Sequence, residues 1–198
     1  MRNPERRSNT SVQGPYYAQD YWLAGRRMGV IGSSDEHAGQ GGRRHGGIVG
    51  VFCDELTREG VFDAIRARDC YATTGERILL EFSVDGVGMG REAARKKGSK
   101  LPIRLGAWGT TELIRIDVLR HRFGVDDGFR LIHSVSPREG GRETGGVASV
   151  GVPQMVTDYS VELEEELTAP VVYYARVVQM PLEWPGMAWT SPVWINPG

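Results

Sequence analysis

Residues 32–42, GSSDEHAGQGG, are the stretch of this sequence whose residue types and spacing point to chemistry. In extended backbone, residues two apart project to the same side. Asp35 and His37 would therefore present a carboxylate and an imidazole together, while Glu36 points away. These are common ligands of catalytic zinc, manganese or iron, and the glycines that follow allow backbone to approach a ligand closely. Spacing alone also fits a plainer arrangement, with Asp35 capping a turn and His37 a polar loop residue. Two ligands fall short of the roughly three protein ligands that a catalytic zinc needs. The chain has four histidines; His121 and His133 lie in a stretch that reads as strand, which leaves His45 as the nearest further imidazole. Arg43, Arg44 and His45 are candidates for contacting a substrate anion, against simple solvent exposure.

Two other chemistries fail on their motifs. Ser33 and Ser34 stand beside Asp35 and His37, but there is no GxSxG, and consecutive residues cannot converge as a triad must. The run GQGGRRHGG lacks the closing Lys and Ser or Thr of a phosphate-binding P-loop.

The elements that must position this stretch begin with a short helix at 15–25, where Pro15 opens and Tyr17, Tyr21 and Ala24 recur at helical spacing. Met28–Ile31 is an apolar run of the kind that forms a strand buried on both faces in parallel sheets. Ile48–Phe52 reads the same way. A helix is predicted at 58–68, with Thr57 as N-cap, Leu56 and Val61 at staple positions, and Val61, Phe62 and Ile65 as its apolar stripe.

After Gly75 the period changes from 3.6 to 2. Ile78, Leu80, Phe82 and Val84 share a face, and Asp85-Gly86 supplies turn chemistry. Ile114, Ile116 and Val118 alternate with charges, as do Tyr159, Val161 and Leu163. With further strands at 101–106, 128–134, 171–178 and 189–195, about seven strands suggest a β-sandwich. REAARKKGSK at 91–100 and the Gly-rich 136–151 read as solvated loops. Trp184, Trp189, Trp194, Tyr173 and Tyr174 suggest core packing before any carbohydrate or peptide platform.

Composition narrows the function. With 24 basic against 25 acidic residues and a net charge of -1, there is no excess of cations for nucleic acid. No apolar run approaches the ~20 residues that span a bilayer, and the first residues lack the apolar core of a secretion signal, so a cytoplasmic location is expected. Cys53 and Cys70 have no metal or disulfide spacing and are expected to be small buried residues.

The runs GVIGSSDEHAGQGG, GGIVGVFCDELTREGVFDAIRARDCYATTGERILLEFSVDGVGMG and YYARVVQMPLEWPGMAWTSPVWI together resemble the C-terminal part of the PHP-type metal-dependent hydrolases, in the DUF3604 or CehA/McbA-like branch. The resemblance covers roughly residues 15–90 and 170–197. It implies the end of a PHP-type α/β barrel over residues 15–75, after a loose N-terminus at 1–14. A mainly antiparallel β-sandwich would follow at 76–198, with ATTG at 72–75 at the junction and MAWTSPVWI as the final strand.

By the same resemblance Asp35 and His37 are the family's last Asp-x-His, each ligating a different ion of a multinuclear centre. The family's earlier His-x-His and its further His and Glu ligands have no counterpart before Gly32. The expectation is therefore the tail of a longer hydrolase of phosphoester, ester or amide bonds. It would hold divalent zinc, manganese or iron weakly by itself, be inactive alone, and need a missing N-terminal segment or partner chain. Residues 1–75 would then lack an independent core. The substrate would be a small molecule. The competing expectation, from another class, is a non-catalytic β-sandwich binding or interaction module.

Overall fold

The computed structural model describes residues 17–39, 46–137, 158–181 and 186–198. Its elements, in order, are α1 (Ala18–Leu23), β1 (Ile48–Val51), α2 (Arg58–Ala67), β2 (Cys70–Thr73), β3 (Leu79–Val84), β4 (Val87–Gly88), β5 (Glu92–Arg95), β6 (Lys100–Trp108), β7 (Leu113–Arg122), β8 (Arg130–Val135), β9 (Asp158–Glu166), β10 (Val171–Gln179), β11 (Gly186–Thr190) and β12 (Val193–Pro197).

The strands form two sheets. The smaller has the order β4-β3-β6-β9, antiparallel throughout. In the larger, eight-stranded sheet, β10 lies along β7 over its whole length, and β7 in turn pairs β8. The other edge of β10 is shared: Val171–Tyr173 pair β12 and Arg176–Gln179 pair β11. The break between those two strands falls at Ser191-Pro192, where a proline without an N–H cannot continue a ladder. β11 continues through β2 to β1, all antiparallel, and β12 pairs β5 in parallel.

Period-2 patterning explains the core between the sheets. Ile78, Leu80, Phe82 and Val84 and, on β6, Leu101, Ile103, Leu105 and Ala107 meet Leu113, Ile116, Val118 and the odd residues 171–177 of β10. Val161 and Leu163 of β9 pack against that core and are half-buried, as is Ile114. The Asp85-Gly86 turn has positive φ at both residues, 49° and 74°, the mirror-image geometry that tight hairpins favour.

The larger sheet is covered on its other face too. Trp22, Leu119, Val172, Tyr174 and Trp194 form a second cluster there. Trp22 packs against Tyr174 at 5.0 Å and Phe129 at 6.0 Å between ring centroids, and the amide of Gln19 donates to the Tyr174 hydroxyl. β10 is thus buried on both faces, which its nearly unbroken VVYYARVV run allows. Its outward Arg176 is neutralised by buried Asp117, Nε to Oδ2 2.7 Å.

Several expectations change. The two-sheet, mostly antiparallel architecture stands, with ten strands from Leu79 onward among the described residues rather than seven. Among the described residues no α/β barrel fragment is shown: Met28–Ile31 is not a strand, and β1 and β2 pair antiparallel inside the sandwich sheet. The reason lies in Gly29 and Gly32, which bring this segment face-on against neighbouring chain instead of edge-on into a ladder. One sheet therefore runs through the periodicity change near residue 75. Glu92–Arg95, read as part of a solvated connector, is β5. α2 forms with Thr57 accepting from the Gly60 N–H at 3.0 Å, but Leu56 is 93% exposed, so no staple closes. Cys70 is buried as expected and Cys53 only half-buried; both are free. Of the loop expected over 136–151, residues 138–151 lie outside the described residues, as does Trp184.

Candidate functional site

The path to Asp35 and His37 is fixed by backbone contacts. The indole N–H of Trp22 donates to the Met28 carbonyl at 2.9 Å, and the Val30 N–H donates to Ser191 Oγ at 3.0 Å. Two residues on, Gly32 lies so close to β1 and β2 that an added Cβ would stand 2.3 Å from the Ile48 carbonyl oxygen and 2.7 Å from that of Thr73. Only glycine permits this approach. The segment then leaves the sheet: Ser33 and Ser34 line a cavity of about 580 Å³ with Gln19, Trp22, Tyr174 and Trp189. Asp35 adopts the left-handed backbone, φ 52°, which short polar residues tolerate.

There the sequence reading and the structure meet. Asp35 Oδ1 and His37 Nε2 are 3.8 Å apart, with side chains 94% and 86% exposed. The two donors are brought together on one side of the chain. The bond that closes the local loop is made by Glu36, whose carboxylate accepts from the Ala38 N–H at 2.7 Å. Ligand bonds to zinc are about 2.0–2.2 Å, so donors this far apart fit a single ion with little adjustment, or two ions spaced about 3.5–4 Å as in two-metal sites. The donor set fits part of a metal centre and not the whole. Among the described residues no group of three or more His, Cys, Asp and Glu is placed to hold an ion.

Arg43, Arg44 and His45 lie outside the described residues. His121 is buried, edge-on to Phe123 with ring centroids 4.7 Å apart, with Nδ1 3.3 Å from the Gly128 carbonyl. His133 is half-buried; desolvation, opposed by the charge of Asp117, lowers the pKa of its imidazole. Both are packing residues of the larger sheet. Burial raises the pKa of the Cys70 thiol, with an opposing hydrogen bond from Ser191, which suits an inert side chain. Tyr173, Tyr174 and Trp194 are fully buried and Trp189 half-buried, so the expectation of packing stands for these four.

The residue that sequence reasoning missed is Trp108, 41% exposed on the outside of the smaller sheet. The signal was present: in KLPIRLGAW the apolar alternates Leu101, Ile103, Leu105 and Ala107 leave Trp108 on the polar face. No helix among the described residues is long and apolar enough to cross a membrane.

Comparison with known proteins places residues 41–99, from just after His37 to the start of β6, in a match to the family described as Protein of unknown function (DUF3604). An uncharacterized protein of Chlamydia pneumoniae is 31% identical over 158 residues, which are 76% of this chain and 23% of that protein. Uncharacterized proteins of Chlamydia trachomatis and Chlamydia muridarum are 29% and 28% identical over 156 residues, each with 22% of its length covered. The chain spans about a quarter of the length of the relatives it matches, and the match to the DUF3604 family takes in β1 through β5 with α2.

Proposed function

We propose that this chain is the C-terminal portion of a PHP-type metal-dependent hydrolase. Asp35 and His37 would supply two ligands of a metal centre completed by a further segment or a partner chain. The carrying observation is the pair itself: a carboxylate and an imidazole 3.8 Å apart, both open to solvent, on a segment that Gly32 fastens to β1 and β2. Support also comes from exposed apolar side chains in the same N-terminal part of the chain. Met28, Ile31, Phe52, Leu56 and Phe62 are all exposed, and β1 ends the larger sheet among the described strands. Such a surface suits coverage by more protein.

A bound zinc, manganese or iron would lower the pKa of a water molecule and polarise the scissile phosphoester, ester or amide. The part of this chain is to hold and orient: Asp35 as an anionic oxygen donor, His37 as a neutral nitrogen donor. Arg43, Arg44 and His45 would face a small anionic substrate.

The test uses the longer Chlamydia pneumoniae relative, with the positions aligned to Asp35 and His37 replaced by alanine. Bound metal per chain and hydrolysis of p-nitrophenyl phosphate and acetate should both fall. Undiminished metal content and activity in both variants would overturn the reading. A non-catalytic β-sandwich module is the second reading, favoured by the fully closed core between the two sheets, which needs nothing from residues 17–39.

A further inference from the structure

The outer face of the smaller sheet carries a built surface that the metal site does not use. The outward residues of β6 are Pro102, Arg104, Gly106 and Trp108. The indole of Trp108 folds back over Gly106: a Cβ there would stand 2.6 Å from Cη2 and 3.0 Å from Cζ3. The far end of the indole's six-membered ring therefore covers Gly106, and the residue keeps 41% of its surface open. Covering Gly106 leaves that exposure unexplained.

Leu79, 58% exposed, pairs directly with Trp108, and polar side chains follow along the same face. Glu81 of β3 and Ser160 of β9 stand opposite Gly106; Ser83 and Glu162 stand opposite Arg104. Arg104 Nε meets Glu162 Oε1 at 3.0 Å, fixing a planar donor and a planar acceptor beside the ring. These residues line a cleft of about 870 Å³.

The chemistry selects among ligands. Arg104 is neutralised by Glu162, and the remaining charges lining the cleft, Glu81 and Asp69, are negative, which disfavours an anion. A cation on Trp108 would stand beside the guanidinium of Arg104, a like charge; Phe52 also lines the cleft, and Trp108 is the outward aromatic of this sheet among its described residues. An exposed indole with Leu79 beside it and carboxylate, hydroxyl and guanidinium groups along the same face suits a neutral polyhydroxyl ring, whose C–H face stacks while its hydroxyls bond to the polar groups. We propose that this face binds neutral carbohydrate, with a pyranose ring stacked on Trp108 and its hydroxyls held by Glu81, Ser160 and the Arg104–Glu162 pair. The inference does not rest on the metal centre.

Affinity electrophoresis of the full chain in gels holding soluble starch, hydroxyethylcellulose, arabinoxylan or galactomannan tests it, with polygalacturonate as the anionic comparison. At least one neutral gel should retard the protein and polygalacturonate should not. Trp108→Ala should weaken that binding by about tenfold or more, the scale of losing a tryptophan anchor; Glu81→Ala should weaken it less, and Asp35→Ala should leave it unchanged. Should Trp108→Ala lower the melting temperature, Trp108→Phe and the exposed Glu81→Ala carry the test. Lack of retardation in all four neutral gels, equal retardation of the wild type and these variants, or a concentration-dependent dimer that Trp108→Ala dissolves would overturn the proposal.

Discussion

The ten residues of α2 bury one side chain, Ala64, while eight of the nine residues of β10 are buried. Both segments are well patterned for their element, so pattern is not what separates them. β10 has a second sheet on one face and α1 on the other. Among the described residues the stripe of α2 meets chiefly β1; Val61 and Ile65 are half-buried and Phe62 remains 58% exposed. Six of the eleven exposed large apolar side chains among the described residues, Tyr21, Met28, Ile31, Phe52, Leu56 and Phe62, fall in residues 17–67, although most of the core lies elsewhere. The contrast teaches that a periodic pattern states what a segment can bury, and only its neighbours decide whether it does.

The sharpest test of this contrast is a matched pair of truncations. Ile103→Ala, in the closed core, should cost about 2–5 kcal/mol, whereas Phe62→Ala on α2 should cost under about 1 kcal/mol. Urea unfolding of both variants measures this, and comparable losses would show that α2 is covered after all. Gly32→Ala comes next, at about 1–3 kcal/mol, because the carbonyls of Ile48 and Thr73 cannot give way without moving β1 and β2. Its signature should be faster amide exchange at residues 28–34 with β6 and β10 unchanged.

A smaller effect separates the regions by pH. Burial opposes the charge of Asp126, but the Arg122 N–H and the nearby Arg120 and Arg130 outweigh it and hold the carboxyl below its ordinary value. A depressed carboxyl contributes stability above its unfolded pKa, about 3.9, and loses it as pH falls through the folded value. The lowered pKa of His133 acts the same way from about pH 6.5 downward, since the unfolded imidazole takes up the proton first. Urea midpoints should therefore drop in two stages on acidification. His133→Gln should remove the upper stage and Asp126→Asn should shrink the lower one. A single stage in the wild type would contradict this.

The smallest effect expected is in metal binding. Calorimetric titration of this chain with zinc or manganese should show at most one weak site, and His37→Ala should change the isotherm little, because two exposed donors cannot retain an ion as a full ligand set does. Tight uptake of two or three ions would break the contrast between an incomplete site and a complete sandwich.

Local rules read from residue types carried a good part of this architecture. Ile78, Leu80, Phe82 and Val84 show their buried face by alternation, Asp85-Gly86 its turn, and Thr57 its cap, since each depends on residues within a few positions of one another. Asp35 and His37 do stand close, 3.8 Å between Oδ1 and Nε2, although the left-handed φ of 52° at Asp35 is not the extended backbone on which the spacing argument rests. What the sequence did not reveal depends on partners far along the chain. Met28–Ile31 has the composition of a strand, but Gly32 packs on Ile48 and Thr73, contacts that only the fold creates. β5 shows no strand pattern because its ladder comes from β12, about a hundred residues away. Trp108, which sequence reasoning missed, reaches Gly106 between Glu81 and Ser160 only through the register of three strands. Short-range geometry is written in neighbouring residue types; which surfaces meet is settled by long-range pairing, where the hydrophobic gain of burial is collected only if another layer is present to bury against.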